Sequence, residues 1–464
     1  MTEDQSFFAG RTMRTSTSYI PAGMFADPGW LLDQVAALFS GAGTVIVPRV
    51  PGPYYTADWE HLPYGEQLRE CARLAGERGW STTDTAAEHG YGWLTWTKTG
   101  APTVHMGILP MIAPAGDQLV CADDPPEVQA DLLARYHQAV GVPWMSTAGV
   151  TGVNLARKLY ERTVRRPGKG EERRRQPVWI ERLDDESLIC AGDIMWSRHR
   201  TAEEMAHAIV ARWDVRMQYG AAAGVAELPV DRLRESTGPT EFDPAAAGYW
   251  RIAVPDGAWW ARNGESTPPV VNPARVRADG TVALTTPLVA LLYEMGQRPE
   301  VLDSRTTTHT DRVLREWYER LRDARLGLNS PKHPEECRCP ECELAAAVKS
   351  TANSAVGMMG SGRGRIQRKV WQHTVQDLAR ANMLRKLRSA QGYIGWPFRI
   401  EHDSVWYAVP QASEGPRFDV ALGVHHAMGR FRFVGAWDRE EYEQTRRAEL
   451  DARRARIRER RAAK

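Results

Sequence analysis

The stretch YIGWPFRIEHDSVWYAV (393–409) decides how this chain is read. Aromatic and β-branched residues run on both sides of Glu401-His402-Asp403, so the segment reads as two strands joined at a turn that carries acids. A carboxylate at a hairpin turn can meet another acid delivered by a neighbouring strand. Upstream, the apolar run AIVARW (208–213) reads as such a strand and ends on Asp214. A single Asp after a strand is ordinarily a turn or cap residue, and Asp-Ser at a hairpin is ordinarily only a turn. The reading therefore depends on what accompanies the two acids.

Outward from this pair the pattern alternates strand and helix. TVQDLARANMLRKLRSA (374–390) reads as a helix, and ELAAAVKSTANSAVGMMG (343–360) as an Ala-rich helix ending at glycines. RVLREWYERLRDARLGL (312–328) places Val313, Trp317, Leu321 and Ala324 on one helical face, with an end at Gly327 or Asn329. PPEVQADLLARYHQAVG (125–141) opens on prolines and carries Val128, Leu132, Leu133 and Tyr136 at helical spacing. GTVIVPRV (43–50), LTWTKTG (94–100) and VHMGILPMI (104–112) read as strands. The tail from about 438 reads as a charged helix. RRPGKGEERRRQP (165–177) has no apolar period and reads as a linker or loop. The sum is a mixed α/β chain.

The 464 residues suffice for two to four domains, and 42% hydrophobic with 25% charged residues is a globular composition. Net charge is only +2, yet Arg157, Lys158, Arg162, Arg165, Arg166, Lys169, Arg173, Arg174 and Arg175 crowd one segment, and residues 446–464 are Arg-rich. Local basic runs in a nearly neutral chain point to a polyanion-binding face, or else to solvated surface. No apolar stretch approaches the roughly 20 residues that span a bilayer. The N-terminus lacks the apolar core of a signal peptide, and six unevenly spaced cysteines are no secreted disulfide framework, so the expected location is cytoplasmic and off the membrane. Cys71, Cys121 and Cys190 read as buried small hydrophobes.

Three motifs occur in order: Asp214-Val-Arg-Met-Gln-Tyr219, Lys349-x3-Asn353-Ser354-x-Val356-Gly357, and Glu401-His402-Asp403-Ser404. Together they resemble the three palm and fingers motifs of family B DNA polymerases, of the small viral or plasmid type, over about residues 180–435. The first motif keeps the Asp and the Tyr, the second keeps Lys349, Asn353, Ser354 and Gly357, and the third keeps Asp403-Ser404. Glu401 and His402 stand where the family has Asp and Thr. Met217-Gln218 replaces Ser-Leu, Gly220 replaces Pro, and Val356 replaces a Tyr.

The resemblance implies a palm-and-fingers fold behind an RNase H-like, exonuclease-like N-terminal domain. It also implies DNA-directed DNA polymerase activity on a DNA primer-template with deoxynucleoside triphosphates, in a phage or mobile element. The implied boundaries are 1–177 for the exonuclease-like domain, 178–285 and 371–437 for the palm, 286–370 for the fingers, and 438–464 for a charged terminal helix. The strands LTWTKTG and VHMGILPMI carry no acid, so proofreading is expected to be absent. The implied catalytic residues are Asp214, Asp403 and Glu401, with Mg²⁺ or Mn²⁺ on Asp214 and Asp403. The nucleotide would be bound by Lys349, Asn353, Tyr219 and Gly357, with Arg312 or Arg315 on a further phosphate, and DNA by Arg430 and Arg432. Phosphoryl transfer suits this set because it needs positioning and charge neutralisation more than covalent help.

His333-x3-Cys337-x-Cys339-x2-Cys342 offers a set of ligands for structural Zn²⁺, or else is a loop with three reduced thiols. A protein primer or accessory subunit would compensate for a short thumb. The alternative function is a catalytically weak or inactive polymerase-like replication factor that binds DNA. An RNA-primer-making or end-adding nucleotidyltransferase is a third.

Overall fold

The computed structural model describes residues 17–19, 29, 32–33, 36, 43–47, 72–82, 93–101, 104–108, 119, 126–144, 147–164, 195–254, 267–272, 275–328, 339–360, 368–411, 414–425 and 427–462. Two units divide the chain: residues 1–176, 316–358 and 363–365 form the first, and 177–315, 359–362 and 366–464 the second. The expected linker 165–177, and Cys71, Cys121 and Cys190, lie outside the described residues. Among the described residues no helix is long and apolar enough to cross a membrane.

The first unit carries a five-stranded sheet of β1 (Thr17–Tyr19), β2 (Gly43–Val47), β3 (Ser81–Thr82), β4 (Trp93–Thr97) and β5 (Val104–Ile108), in the order β1-β2-β5-β4-β3. β1, β2 and β5 run parallel, while β4 pairs antiparallel with β5 and with β3. Helices α1 (Pro126–Val140) and α2 (Ala148–Val164) follow. α1 buries Leu132, Leu133 and Tyr136 as its spacing predicts, but Val128 is 40% exposed. One turn from the helix start, Val128 lies on the rim of the apolar stripe instead of within it.

Helices Arg315–Leu328 and Pro340–Gly360 contribute the rest of this unit's core. Trp317, Leu321 and Ala324 are buried as expected, whereas Val313 precedes the helix and is half-buried beside the fully packed Leu314. The Trp317 indole donates to the Gly152 carbonyl at 2.9 Å. Tyr136 and Thr351 share a buried hydroxyl hydrogen bond of 2.6 Å, and removal from water pushes the Tyr136 phenol far up. α2 meets the helix Pro340–Gly360 backbone to backbone through its glycines. A β-carbon at Gly152 would sit 2.7 Å from the Thr351 carbonyl oxygen and 2.5 Å from the Ala355 β-carbon. The low helix propensity of two glycines is offset by that close approach.

The second unit begins with β6 (Met195–Ser197), β7 (Ile209–Val215) and α3 (Gln218–Ala223). It continues through β8 (Leu228–Pro229), β9 (Arg234–Thr237), β10 (Ala247–Ala253), β11 (Thr281–Thr285), α4 (Thr286–Glu294), β12 (Val301–Thr307) and β13 (Thr310–Asp311). It resumes as α5 (Lys369–Ile394), β14 (Arg399–Glu401), β15 (Ser404–Val409), α6 (Gly415–Leu422), β16 (Phe431–Asp438) and α7 (Arg439–Ala462). One sheet has the order β11-β10-β12-β9 and is antiparallel throughout. Trp250, Ile252, Val282 and Leu284 from its strands pack against Leu288, Leu291 and Leu292 of α4 and Ala381 and Leu384 of α5. The buried Asp377 of α5 accepts from the Thr285 amide at 3.1 Å and the Thr285 hydroxyl at 2.7 Å, at the N-cap of α4, where a helix favours negative charge.

The other large sheet has the order β16-β7-β15-β14-β6. Its pairings are antiparallel, and β7 is bonded on both edges. Side chains alternate across a strand, so β7 presents Ala211, Trp213 and Val215 to the core beneath α5 and α6, and Val210, Arg212 and Asp214 to the opposite face. Trp213 stacks on Phe418 of α6 at 5.5 Å and donates its indole N–H to Asp419 at 2.7 Å. α5 therefore serves both sheets, giving Ala381 and Leu384 to one and Met383 and Leu387 to the other.

Gly152→Val forces a side chain into the Thr351 carbonyl. It is expected to destabilise the chain by about 1–3 kcal/mol, read as a lower urea midpoint with unchanged slope.

Candidate functional site at the end of β7

The two-residue loop between β14 and β15 requires a positive φ at its first central position, and His402 adopts φ 54° there. The loop's second residue is Asp403. Its carbonyl accepts the Val215 amide at 2.9 Å, just past Asp214, and Ser404 pairs directly with Asp214. Strand register alone thus brings the backbones of Asp214 and Asp403 together. Across the sheet one row reads Glu401, Ser404, Asp214, Arg432, and the next reads Arg399, Trp406, Arg212.

Asp214 is 5% exposed. Arg432 of β16 grips it with both ends of the carboxylate: Nε donates to Oδ1 at 2.6 Å and Nη2 to Oδ2 at 3.0 Å. Arg432, assigned above to DNA, is therefore held at the first acid of the site. Arg212 donates twice to the Ser404 hydroxyl, at 3.1 and 2.9 Å. Its guanidinium also lies 5.1 Å from the Trp406 ring centroid, with Arg399 at 4.3 Å from the same centroid. Glu401 forms an ion pair with Arg399. It stands two strands from Asp214, roughly 10 Å by ordinary strand spacing, so this acid is directed to Arg399 rather than to the Asp214 carboxylate.

Behind the acids, positive groups gather. The Arg216 amide donates to the Arg430 carbonyl at 3.0 Å, and the Gly429 amide to the Arg216 carbonyl at 2.6 Å, which ties the loop before β16 to the end of β7. Gly429 has φ 75°, and a β-carbon there would meet the Ala221 side chain at 2.8 Å. Lys386 of α5 reaches this loop and donates to the Gly429 carbonyl, with its ammonium 5.6 Å from the Phe431 centroid. Burial, with Arg430 adding repulsion, lowers its pKa to about 8. Sequence reading missed Lys386, because a lysine on a charged helix reads as solvated. Only the 429–431 loop packed onto it makes it distinctive.

Tyr219 is half-buried on α3, which starts after Met217 in a left-handed turn at φ 48°. Gln218 anchors this helix by donating to the Ala379 carbonyl at 3.2 Å. Arg312 is exposed and paired with Glu227 at 2.7 Å, and Arg315 is an exposed first residue of its helix.

In the first unit, Lys349, Asn353 and Gly357 form a single stripe on the helix Pro340–Gly360, half-buried or exposed, beside the buried stripe Leu344, Val348, Ala352, Ala355 and Met359. Within it, Asn353 Oδ1 is shielded from solvent with no hydrogen-bond partner among the described residues. Cys339 and Cys342 flank the start of this helix, both half-buried, while His333 and Cys337 lie outside the described residues. Among the described residues no three His, Cys, Asp or Glu side chains gather closely enough to hold a metal.

No protein-family model matches the chain, and no curated protein matches it. Solved structures similar to it include Phi29 DNA polymerase with primer-template DNA and incoming nucleotide, at 11% identity and TM-score 0.47, covering 88% of this chain and 77% of that one. An orthorhombic form of Phi29 DNA polymerase is similar at 11% identity and TM-score 0.41 over 68% of this chain. There the chain spans only 56% of the length it is compared with. The family B DNA polymerase of the hyperthermophilic archaeon Pyrobaculum calidifontis is similar at 11% identity and TM-score 0.35, over 85% of this chain and 48% of that one. These likenesses are distant, and the site residues carry the functional reading on their own.

Lys386 generates a test. Its folded-state pKa, about 8, lies below the ordinary 10.5. The folded chain therefore binds fewer protons than the unfolded one between these values, and stability rises as pH increases through that window. Urea denaturation at pH 8 and pH 10 is expected to show that rise, and Lys386→Met to flatten it.

Proposed function

We propose that residues 178–285 and 371–437, in the second unit, are the palm of a DNA-directed DNA polymerase that transfers deoxynucleotides to a primer end without proofreading. One observation supports this reading: β7 and the β14–β15 hairpin bring the backbones of Asp214 and Asp403 together at one end of a sheet whose opposite face is an aromatic core. Two hard carboxylates are suitable ligands for Mg²⁺ or Mn²⁺, and Mg²⁺ keeps enough waters that a pair suffices. The guanidinium on Asp214 is a stand-in for that charge: this buried carboxylate is built to face a cation. Bound there, divalent ions supply charge neutralisation at the attacking and leaving oxygens.

The chain's own residues do the remaining work. Asp214 and Asp403 hold the ions. Lys349 offers a point charge to the triphosphate, and Arg312 or Arg315 a further phosphate contact. Asn353 presents an acceptor not yet engaged, and Gly357 presents bare backbone, one and two helical turns further along the Lys349 stripe. Tyr219 excludes a 2′-hydroxyl beneath the sugar. Arg430, with Lys386 behind it, faces the primer-template backbone. In this reading residues 1–177 are a degenerate exonuclease-like domain that guides single-stranded template, and His333, Cys337, Cys339 and Cys342 clip the base of the fingers with zinc.

A second reading has specific support. Asp214 is neutralised by Arg432, and Glu401 by Arg399, which suits a DNA-binding replication factor with weak or no catalysis. Primer extension separates the two. With Mg²⁺ or Mn²⁺ and deoxynucleoside triphosphates, the native chain is expected to extend an annealed primer. Asp403→Asn is expected to lose at least about a hundredfold in rate, the scale of removing one charge-stabilising group from an active site, while still binding the duplex. Binding without any extension by the native chain establishes the second reading, and extension that needs no template points to end addition.

A further inference from the structure

Resting on the palm reading, we propose that Arg432 is a removable counter-cation that closes the Asp214 metal site and must swing away before a divalent ion can be held there.

The geometry supports this from three sides. First, both carboxylate oxygens of Asp214 are taken, by two different nitrogens of one guanidinium, in the planar fork arrangement that is the strong form of this pairing. An ion needs at least one of those oxygens, so guanidinium and metal compete for the same atoms. Second, the pair is asymmetric in burial. The Asp214 side chain is 7% exposed and that of Arg432 is 22% exposed. The acid is fixed in a central strand, while the base stands on β16, the edge strand of the sheet. Arg432 can leave toward water, and Asp214 cannot. Third, the register of β16 against β7 shifts between Phe433 and Gly435, just after Arg432. Bulges re-aim neighbouring side chains and are concentrated at sheet edges and beside active sites.

A buried carboxylate left without a partner is costly, so the clamp keeps the site charge-balanced before an ion arrives. The same clamp reduces apparent metal affinity by the fraction of molecules in which it is open. Once displaced, the guanidinium is available to a phosphate of the nucleic acid, which reconciles its place on Asp214 with a role at the DNA backbone.

The test measures Mn²⁺ binding to the full-length chain without DNA or nucleotide, by the loss of the free-ion paramagnetic resonance signal. Arg432→Gln, which removes the clamp, is expected to bind Mn²⁺ at least about tenfold more tightly than the native chain, the ordinary size of a coupling between two sites. Arg432→Lys keeps the charge and the fold but cannot grip both oxygens, and is expected to fall between them. Mn²⁺ is also expected to raise the melting temperature of Arg432→Gln more than that of the native chain. Equal affinity in the native chain and Arg432→Gln overturns the clamp, as does an Arg432→Lys value identical to the native one, which would reduce the effect to simple charge repulsion. Asp214→Asn separates the levels. If it abolishes binding while Arg432→Gln behaves as native, the clamp fails and the palm reading stands. If it binds Mn²⁺ as the native chain does, or no variant binds at all, both fail together.

Discussion

Strand β7 is hydrogen-bonded along its whole length to β15 on one side and to β16 on the other, and this double pairing governs everything at the site. A slip of one residue would turn Asp214 into the aromatic core and Trp213 onto the polar face. Both errors are costly. Trp213 is fully buried against Phe418, Tyr407 and Phe433, with its indole N–H satisfied by Asp419. The anchor of the acid is thus the tryptophan next to it in sequence.

The polar face is organised as charge pairs rather than as an open acidic cluster. Arg432 answers Asp214, Arg399 answers Glu401, and Arg212 and Arg399 both lie near the face of Trp406, itself almost buried. Tyr442 of α7 packs over the far end of this face at Phe398 and hydrogen-bonds to Arg399 at 3.3 Å. A chain with a net charge of only +2 achieves this by placing cations where carboxylates lose their water.

Local signals in the sequence were enough for many elements. AIVARW does form β7, the Glu401-His402-Asp403 break is the end of β14 and its turn, and the helices around 374–390 and 343–360 form with longer bounds than their apolar spacing marks. α2 escaped sequence reading because Gly149, Thr151 and Gly152 are poor helix formers. Its stability comes from a close approach to Thr351 and Ser354, some two hundred residues away in sequence, in the same core where Tyr136 bonds to Thr351. Likewise, nothing local to the MGRFRF segment says that Arg432 stands opposite Asp214. That fact belongs to strand pairing at long range. Glu401 was read with Asp403 because the two are neighbours in sequence, but the pleat and the strand order set it beside Arg399 instead.

The strand order also has a consequence for how the protein is made. Both neighbours of β7 come from residues 404–438, so a growing chain carries β7, with its unpaired backbone and a bare Trp213 face, through the synthesis of nearly two hundred further residues, the separation of Arg212 from Ser404 being 192. Until residues 404–438 have been made, the strand that bears Asp214 has neither neighbour to pair with, and the interval favours either a chaperone's hold or slow late assembly.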